Sequence, residues 1–106
     1  MQAQIDPILQ RIANQIISVI DADWSAIILT GEAADGSLEL DCRYKFADKP
    51  EEEETFFAPS EVLLNFLRLR FMIKGQSGKS WDKFRFVLYP DGNFDIEFTY
   101  PTENER

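Results

Sequence analysis

Strict alternation between apolar and charged side chains in residues 38–46 most constrains the fold of this chain. The apolar set is Leu38, Leu40, Cys42, Tyr44 and Phe46, and the charged set is Glu39, Asp41, Arg43 and Lys45. Because successive side chains of a β-strand point to opposite faces, this pattern predicts a strand with one buried and one wet side. A sheet with one face on the core and the other exposed to solvent is typically antiparallel. The same period recurs in residues 83–88 and 94–100.

Two other segments show the spacing of amphipathic helices. In residues 5–20 the apolar side chains fall on one side, Asp6 is a candidate N-cap, and Pro7 fits the first turn. A second helix is predicted over residues 60–73, with Gly75 as its stop signal. Its expected apolar arc contains Val62, Leu63, Phe66, Leu67, Leu69, Phe71 and Ile73, with Glu61, Asn65 and Arg68 outside it.

The remaining segments predict an α+β two-layer sandwich with the order α-β-β-α-β-β. Residues 24–30 have the composition of a strand, and residues 34–37 and 90–93 carry hairpin turn signals. Two hairpins would form a four-stranded antiparallel sheet, whose apolar face both helices would cover. The length of 106 residues predicts a single domain over residues 1–106. The expected core includes Trp24, Phe84, Phe86, Phe94, Ile96 and Phe98.

The chain is strongly acidic, with 19 acidic and 11 basic residues and a net charge of −8. Such a chain repels nucleic acid and suits a basic partner. Residues 47–60 are predicted to form a loop, in which Glu51 to Glu54 stay solvated and Phe56 and Phe57 attach the loop to the body. Bases cluster in residues 62–85: Arg68, Arg70, Lys74, Lys79, Lys83 and Arg85.

This basic stripe has two interpretations, a phosphate-binding patch or neutralisation of neighbouring acids. We favour neutralisation, because Lys83 and Arg85 would face Asp95 and Glu97 across the second hairpin. Arg70 falls inside the apolar arc, where we expect a structural role. It would either pair with a carboxylate or lay its stem along apolar surface with its head in water.

The composition argues against an enzyme. With no His and one Cys, the usual acid–base, nucleophilic and metal-binding groups are missing, and no internal disulfide is possible. Cys42 is expected to be a buried, inert thiol. Two carboxylate pairs, Glu39 with Asp41 and Asp95 with Glu97, are predicted on the solvent-exposed face of the sheet. There they stay ionised and lack the apolar pocket that a glycosidase needs to raise the pKa of one carboxyl group. No calcium-loop spacing occurs, and we expect no cofactor and no bound metal.

What remains is a surface for a protein partner. Trp81 and Tyr89 fall on the wet-face register with Lys83 and Arg85, where aromatic residues suit an interface. Alternatively, the two aromatic residues cover the sheet edge or pack on the termini. The candidate binding residues are Glu39, Asp41, Glu51, Glu52, Glu53, Glu54, Asp95, Glu97, Trp81 and Tyr89.

Short segments spread over most of the chain resemble the YezG-like immunity proteins. The C-terminal hairpin carries the family's pattern of W-x-x-x-x-F followed by D-G-x-F-x-I-x-F-x-Y, here Trp81, Phe86, Asp91, Gly92, Phe94, Ile96, Phe98 and Tyr100. An amphipathic helix followed by residues 20–24 resembles the family's front, and residues 67–70 resemble its second helix.

The resemblance implies an antitoxin: a small cytosolic protein that binds and blocks a cognate polymorphic toxin, commonly a nuclease. The motif residues look structural, so no active site is implied. The alternative is an acidic nucleic-acid mimic from a phage or mobile element that inhibits a defence protein. Residues 1–4 lack the basic region of a signal peptide and no apolar run could span a membrane, so we expect a cytoplasmic protein.

Overall fold

The computed structural model describes residues 2–21, 23–34 and 37–100. Two helices and five strands follow one another in the order α-β-β-β-α-β-β. They are α1 (Gln2–Ile17), β1 (Trp24–Ala34), β2 (Ser37–Phe46), β3 (Glu53–Thr55), α2 (Ser60–Ser77), β4 (Lys83–Leu88) and β5 (Phe94–Thr99).

The strands form one antiparallel sheet in the spatial order β3-β2-β1-β4-β5. The α+β class and both predicted hairpins are confirmed, but the prediction of four strands is wrong. The additional strand, β3, lies in the predicted loop and pairs Thr55 with Arg43 and Glu53 with Lys45. Three residues are too few to show alternation, and glutamate is depleted in strands, so β3 gives no sequence signal.

A single apolar core joins both helices to the inner face of the sheet. Phe66 of α2 stacks on Phe84 with ring centroids 4.0 Å apart and meets Phe86 edge-on at 6.2 Å. Phe84 and Phe86 are buried, which confirms their predicted place in the core. The other predicted core residues are partly buried and pack against it: Trp24, Phe94, Ile96 and Phe98.

Both helices differ from their predicted bounds: α1 begins three residues earlier and ends at Ile17, before the predicted end at residue 20, and α2 continues past residue 73. Because α1 begins at Gln2, Asp6 and Pro7 lie within the helix, not at its start. Gly75 does not stop α2, which continues to Ser77. The helix ends instead at Gly78, whose φ of 81° is readily adopted only by glycine and whose N–H donates to the Lys74 carbonyl oxygen at 2.8 Å.

The buried face of α2 differs in two places from the predicted arc. Asn65 is buried, and its Nδ2 donates to Gln15 Oε1 of α1 at 3.2 Å. Phe71, placed inside the arc from sequence, is 75% exposed. The buried positions Val62 and Leu69 lie three residues before and four after Asn65, so Asn65 shares their stripe, whereas Phe71 points away from it.

The second hairpin turn is confirmed in detail. Tyr89 donates its N–H to the Asn93 carbonyl oxygen at 2.9 Å, and Gly92 has a φ of 92°. In the first hairpin Ala34 pairs with Ser37, and the two predicted turn residues between them lie outside the described residues.

The phenylalanines that follow β3 behave differently from each other. Phe56 packs on the core and lies 6.0 Å from the Tyr44 ring, as expected of a residue that attaches the segment to the body. Phe57 is 94% exposed, so its predicted anchoring role is wrong. Neighbouring side chains of an extended backbone point in opposite directions, so only one of an adjacent pair reaches the core.

Candidate protein-binding surface

The candidate site is the outer face of the sheet, opposite the helices. The strand registers place on this face Ile28, Thr30, Glu32, Glu39, Asp41, Arg43, Lys45, Lys83, Arg85, Val87, Asp95, Glu97 and Thr99. A shallow depression of about 630 Å³ lies on it, and its polar lining is Thr30, Glu32, Glu39, Asp41, Lys83, Arg85, Glu97 and Thr99. The predicted carboxylate pairs of β2 and β5 therefore share one surface.

The outer face carries both acidic and basic side chains, and their cross-strand neighbours differ in charge from row to row. Glu32 of β1 lies directly opposite Glu39 of β2 on one side and Lys83 of β4 on the other. Like charges directly opposite each other in a sheet are unfavourable, so the Glu32–Glu39 pairing lowers stability unless a cation relieves it. Lys83 supplies one positive neighbour, and the mouth of the depression remains rich in carboxylates.

The strand β3 joins part of the glutamate run to this face. Arg43 Nε lies 2.8 Å from Asp41 Oδ2, and Arg43 Nη1 lies 3.4 Å from Glu53 Oε1. The Asp41 carboxylate, together with the hydrogen bonds to Glu53 and Asp41, raises the pKa of the Arg43 guanidinium. All three side chains are solvent-exposed, so the network adds little stability. The network places the Asp41 and Glu53 carboxylates beside the same guanidinium group.

The other glutamates of the run take different positions. Glu54 lies opposite Tyr44, on the side of the sheet away from Glu53. Partial desolvation and the Glu54 charge raise the pKa of the Tyr44 hydroxyl. Glu51 and Glu52 precede β3 and are exposed. The run is therefore divided between a sheet edge and a short exposed connection, instead of forming one acidic loop.

On β5 the predicted charge pairing is half right. Glu97 lies opposite Arg85, as expected, but Asp95 lies opposite Val87. Lys83 faces Thr99, because an antiparallel register that sets Arg85 opposite Glu97 places residue 83 opposite residue 99. Tyr89, 38% exposed, donates its hydroxyl to Asp95 Oδ2 at 3.4 Å. Its predicted position beside the outer face agrees with the structure, while its binding role stays a prediction.

The predicted exposure of Trp81 is wrong, because this residue is fully buried. Its ring stacks on Phe98 at 5.3 Å and meets Phe84 edge-on at 5.4 Å. Arg70 Nε donates to the Trp81 carbonyl oxygen at 2.7 Å, and the guanidinium carbon lies 5.8 Å from the ring centroid. Trp81 precedes β4, so the two-residue alternation of that strand does not extend to it. Arg70 is structural, as expected, with a backbone carbonyl in place of the suggested carboxylate.

The remaining predictions concern the cysteine, metal ligands and membrane-spanning segments. Cys42 is buried, as predicted, and burial raises the pKa of its thiol, which lowers the share of reactive thiolate at neutral pH. Within residues 2–21, 23–34 and 37–100, no cluster of three or more potential ligands could hold a metal ion. No helix in these ranges has the length and apolar character needed to cross a membrane.

Sequence reasoning missed one further surface, an apolar stripe on the outside of α2. Leu64 and Phe71 are 61% and 75% exposed, and a groove beside them is also lined by Leu67, Arg68 and Met72. The helical spacing of Leu64, Leu67 and Phe71 is visible in the sequence, but the predicted apolar arc includes Leu67 and Phe71 on the buried side and omits Leu64. No model of a known protein family matches the chain, and no curated protein matches it either.

Proposed function

We propose that this protein is an immunity protein that binds and neutralises a toxin domain through the outer face of its sheet. The observation that carries the proposal is the outer face of the sheet, which neither helix covers. This face bears carboxylates from β1, β2, β3 and β5. Its sequence resemblance to YezG-like immunity proteins points the same way. The expected partner is a basic domain, such as a nuclease whose cleft attracts phosphates.

The structure suits a binding role for physical reasons. The β2 and β5 carboxylates stand on hydrogen-bonded strands, so holding them in place at an interface costs little entropy. The net charge of −8 favours fast encounter with a basic partner. The depression bordered by Glu32, Glu39 and Glu97 offers a concave seat for basic side chains.

The charge pattern favours a protein inhibitor of this kind over a nucleic-acid mimic. Lys83 and Arg85 of β4 stand between the carboxylates of β1 and β2 on one side and those of β5 on the other. A mimic of a phosphate backbone would be expected to present acids without interruption. A toxin surface that carries an acidic group between basic groups would complement the outer face of the sheet better than a surface shaped for an unbroken phosphate backbone.

The proposal is tested by co-purification with the product of the gene directly upstream, followed by binding kinetics. We expect a stoichiometric complex whose association rate falls steeply between about 50 and 500 mM salt, because screening weakens the steering field. No complex would refute the immunity function. A complex whose association rate is flat over that range would refute the electrostatic mode of binding.

The two acidic regions are expected to affect different rate constants. Replacing Glu51 and Glu52 with Gln should slow association and leave dissociation nearly unchanged, because these exposed residues steer the encounter. Replacing Asp95 and Glu97 with Asn and Gln should mainly speed dissociation, because these residues would supply lasting contacts. Surface plasmon resonance at one fixed salt concentration separates the two effects.

A matched control removes the same charge elsewhere. Asp21→Asn combined with Glu61→Gln also neutralises two exposed carboxylates, one before β1 and one at the start of α2. This variant should bind with nearly wild-type rates. Fast dissociation of the Glu51/Glu52 variant together with wild-type behaviour of the Asp95/Glu97 variant would show that the two regions have the opposite roles.

A further inference from the structure

The strand β5 forms an open edge of the sheet. It has six residues and contains no proline, and its pairing with β4 is continuous from Phe94 to Thr99. No described strand pairs with its other side. The opposite edge, β3, is only three residues long. A long edge strand is a ready template for an added strand, and β5 is the longer of the two edge strands among the described residues.

The backbone groups that face the open edge follow from the register. The hairpin closes with the Tyr89 N–H donating to the Asn93 carbonyl oxygen. Hydrogen-bonded and non-hydrogen-bonded pairs alternate along an antiparallel ladder, so Asp95 and Glu97 bond to β4. The backbone N–H and C=O groups that point away from β4 are therefore those of Phe94, Ile96 and Phe98.

Side-chain charge on β5 selects what can pair there. Asp95 and Glu97 stand on the outer face, and within the described residues neither carboxylate forms a salt bridge. Antiparallel pairing with β5 of a second copy about Ile96 would set Asp95 against Glu97, which is unfavourable. A strand with Lys or Arg at alternate positions would instead place its bases beside these acids. Its apolar positions would extend the half-buried row of Phe94, Ile96 and Phe98.

We propose that the partner adds a basic, alternating β-strand to the β5 edge, as a sixth strand of the sheet. This inference rests on the proposed function, since the strand would belong to the toxin domain. Backbone hydrogen bonds would supply affinity, and the alternation of basic and apolar side chains would supply specificity. The gain should be largest beside Asp95, because Glu97 already has Arg85 opposite it while Asp95 faces Val87.

Amide hydrogen exchange measured by NMR on the complex with the upstream gene product tests the proposal. We expect the amides of Phe94, Ile96 and Phe98 to exchange at least about tenfold more slowly in the complex, since each gains a hydrogen bond. The amides of Asp95 and Glu97 already bond to β4 and should change much less. Uniform or absent protection along β5 in a formed complex would refute strand addition while leaving the immunity function intact. Failure to form any complex would refute both.

Substitutions at one position give an independent readout. Ile96→Pro removes the outward N–H, a change that an edge strand tolerates, while Ile96→Ala removes the same side chain and keeps the N–H. Both variants should have similar thermal midpoints, and the proline variant should bind about tenfold more weakly than the alanine variant. Equal affinities of two folded variants would overturn the proposal. If the proline variant fails to fold, the exchange pattern of the wild-type complex still decides.

Discussion

Replacing Phe86 with alanine is expected to lower the free energy of unfolding by about 3–5 kcal/mol. Phe86 is fully buried in the middle of β4, between Leu29 of β1 and Ile96 of β5. Its ring meets Phe66 of α2 at 6.2 Å and Phe94 at 5.5 Å. Truncation removes both aromatic contacts and leaves a cavity that the surrounding strands and helix cannot close. Urea denaturation of the variant and the wild type measures the difference.

Phe71→Ala provides the matched control for this substitution. It makes the same chemical change on α2, but Phe71 is 75% exposed, so we expect a loss within about 0.5 kcal/mol. Equal losses for the two variants would contradict the assignment of Phe86 to the core and of Phe71 to the surface. The control also shows whether removal of an aromatic residue from the exposed α2 stripe improves solubility.

Gly31→Ala is expected to destabilise the protein by about 1–3 kcal/mol, the cost of overfilling a packed site. Gly31 is buried in β1, opposite Leu40 on one side and Phe84 on the other. A Cβ atom at Gly31 would overlap the Phe84 ring, which lies across the glycine. That ring cannot move freely, because Phe66 stacks on it with centroids 4.0 Å apart.

Gly75→Ala is the opposite case and serves as the control. Gly75 lies in the last turns of α2, where a Cβ would meet nothing within 4 Å. Alanine has the higher helix propensity, so we expect a gain of up to about 1 kcal/mol. Thermal unfolding of the two variants should therefore shift in opposite directions. A Gly31→Ala protein as stable as the wild type would show that Phe84 does not lie over Gly31.

Much of the fold could be predicted because its main signals are periodic. The alternation in residues 38–46 sets which side of β2 is buried, and the turn at residues 90–93 sets the second hairpin. Helix ends were less predictable. Gly75 and Gly78 are both glycines near the end of the helix, so residue type does not distinguish them as stop signals. Only the backbone geometry shows that Gly78 adopts the left-handed conformation that ends α2.

The candidate site could be predicted in part, for the same reason. Glu39 and Asp41 follow from strand alternation, so their position on an exposed face was foreseeable. The prediction for Trp81 is wrong because it applies the two-residue alternation of β4 to a residue that precedes that strand. Glu53 falls in a predicted loop, because the pairing of β3 with β2 is a tertiary interaction that no local pattern in four adjacent glutamates reveals.

The pairing of β1 with β4 has a consequence for how the chain reaches its fold. The β1–β2 and β4–β5 pairs each join neighbours in sequence, whereas β1 and β4 are separated by β2, β3 and the whole of α2. Closing that junction must overcome the entropy of a long intervening loop, while each hairpin closes only a short one. We therefore expect the β1–β2 hairpin and the β4–β5 hairpin to form early as two half-sheets. In sequence, α1 directly precedes the first hairpin and α2 the second. Docking of the two half-sheets, in which Leu29 meets Phe86, would be the rate-limiting event of folding.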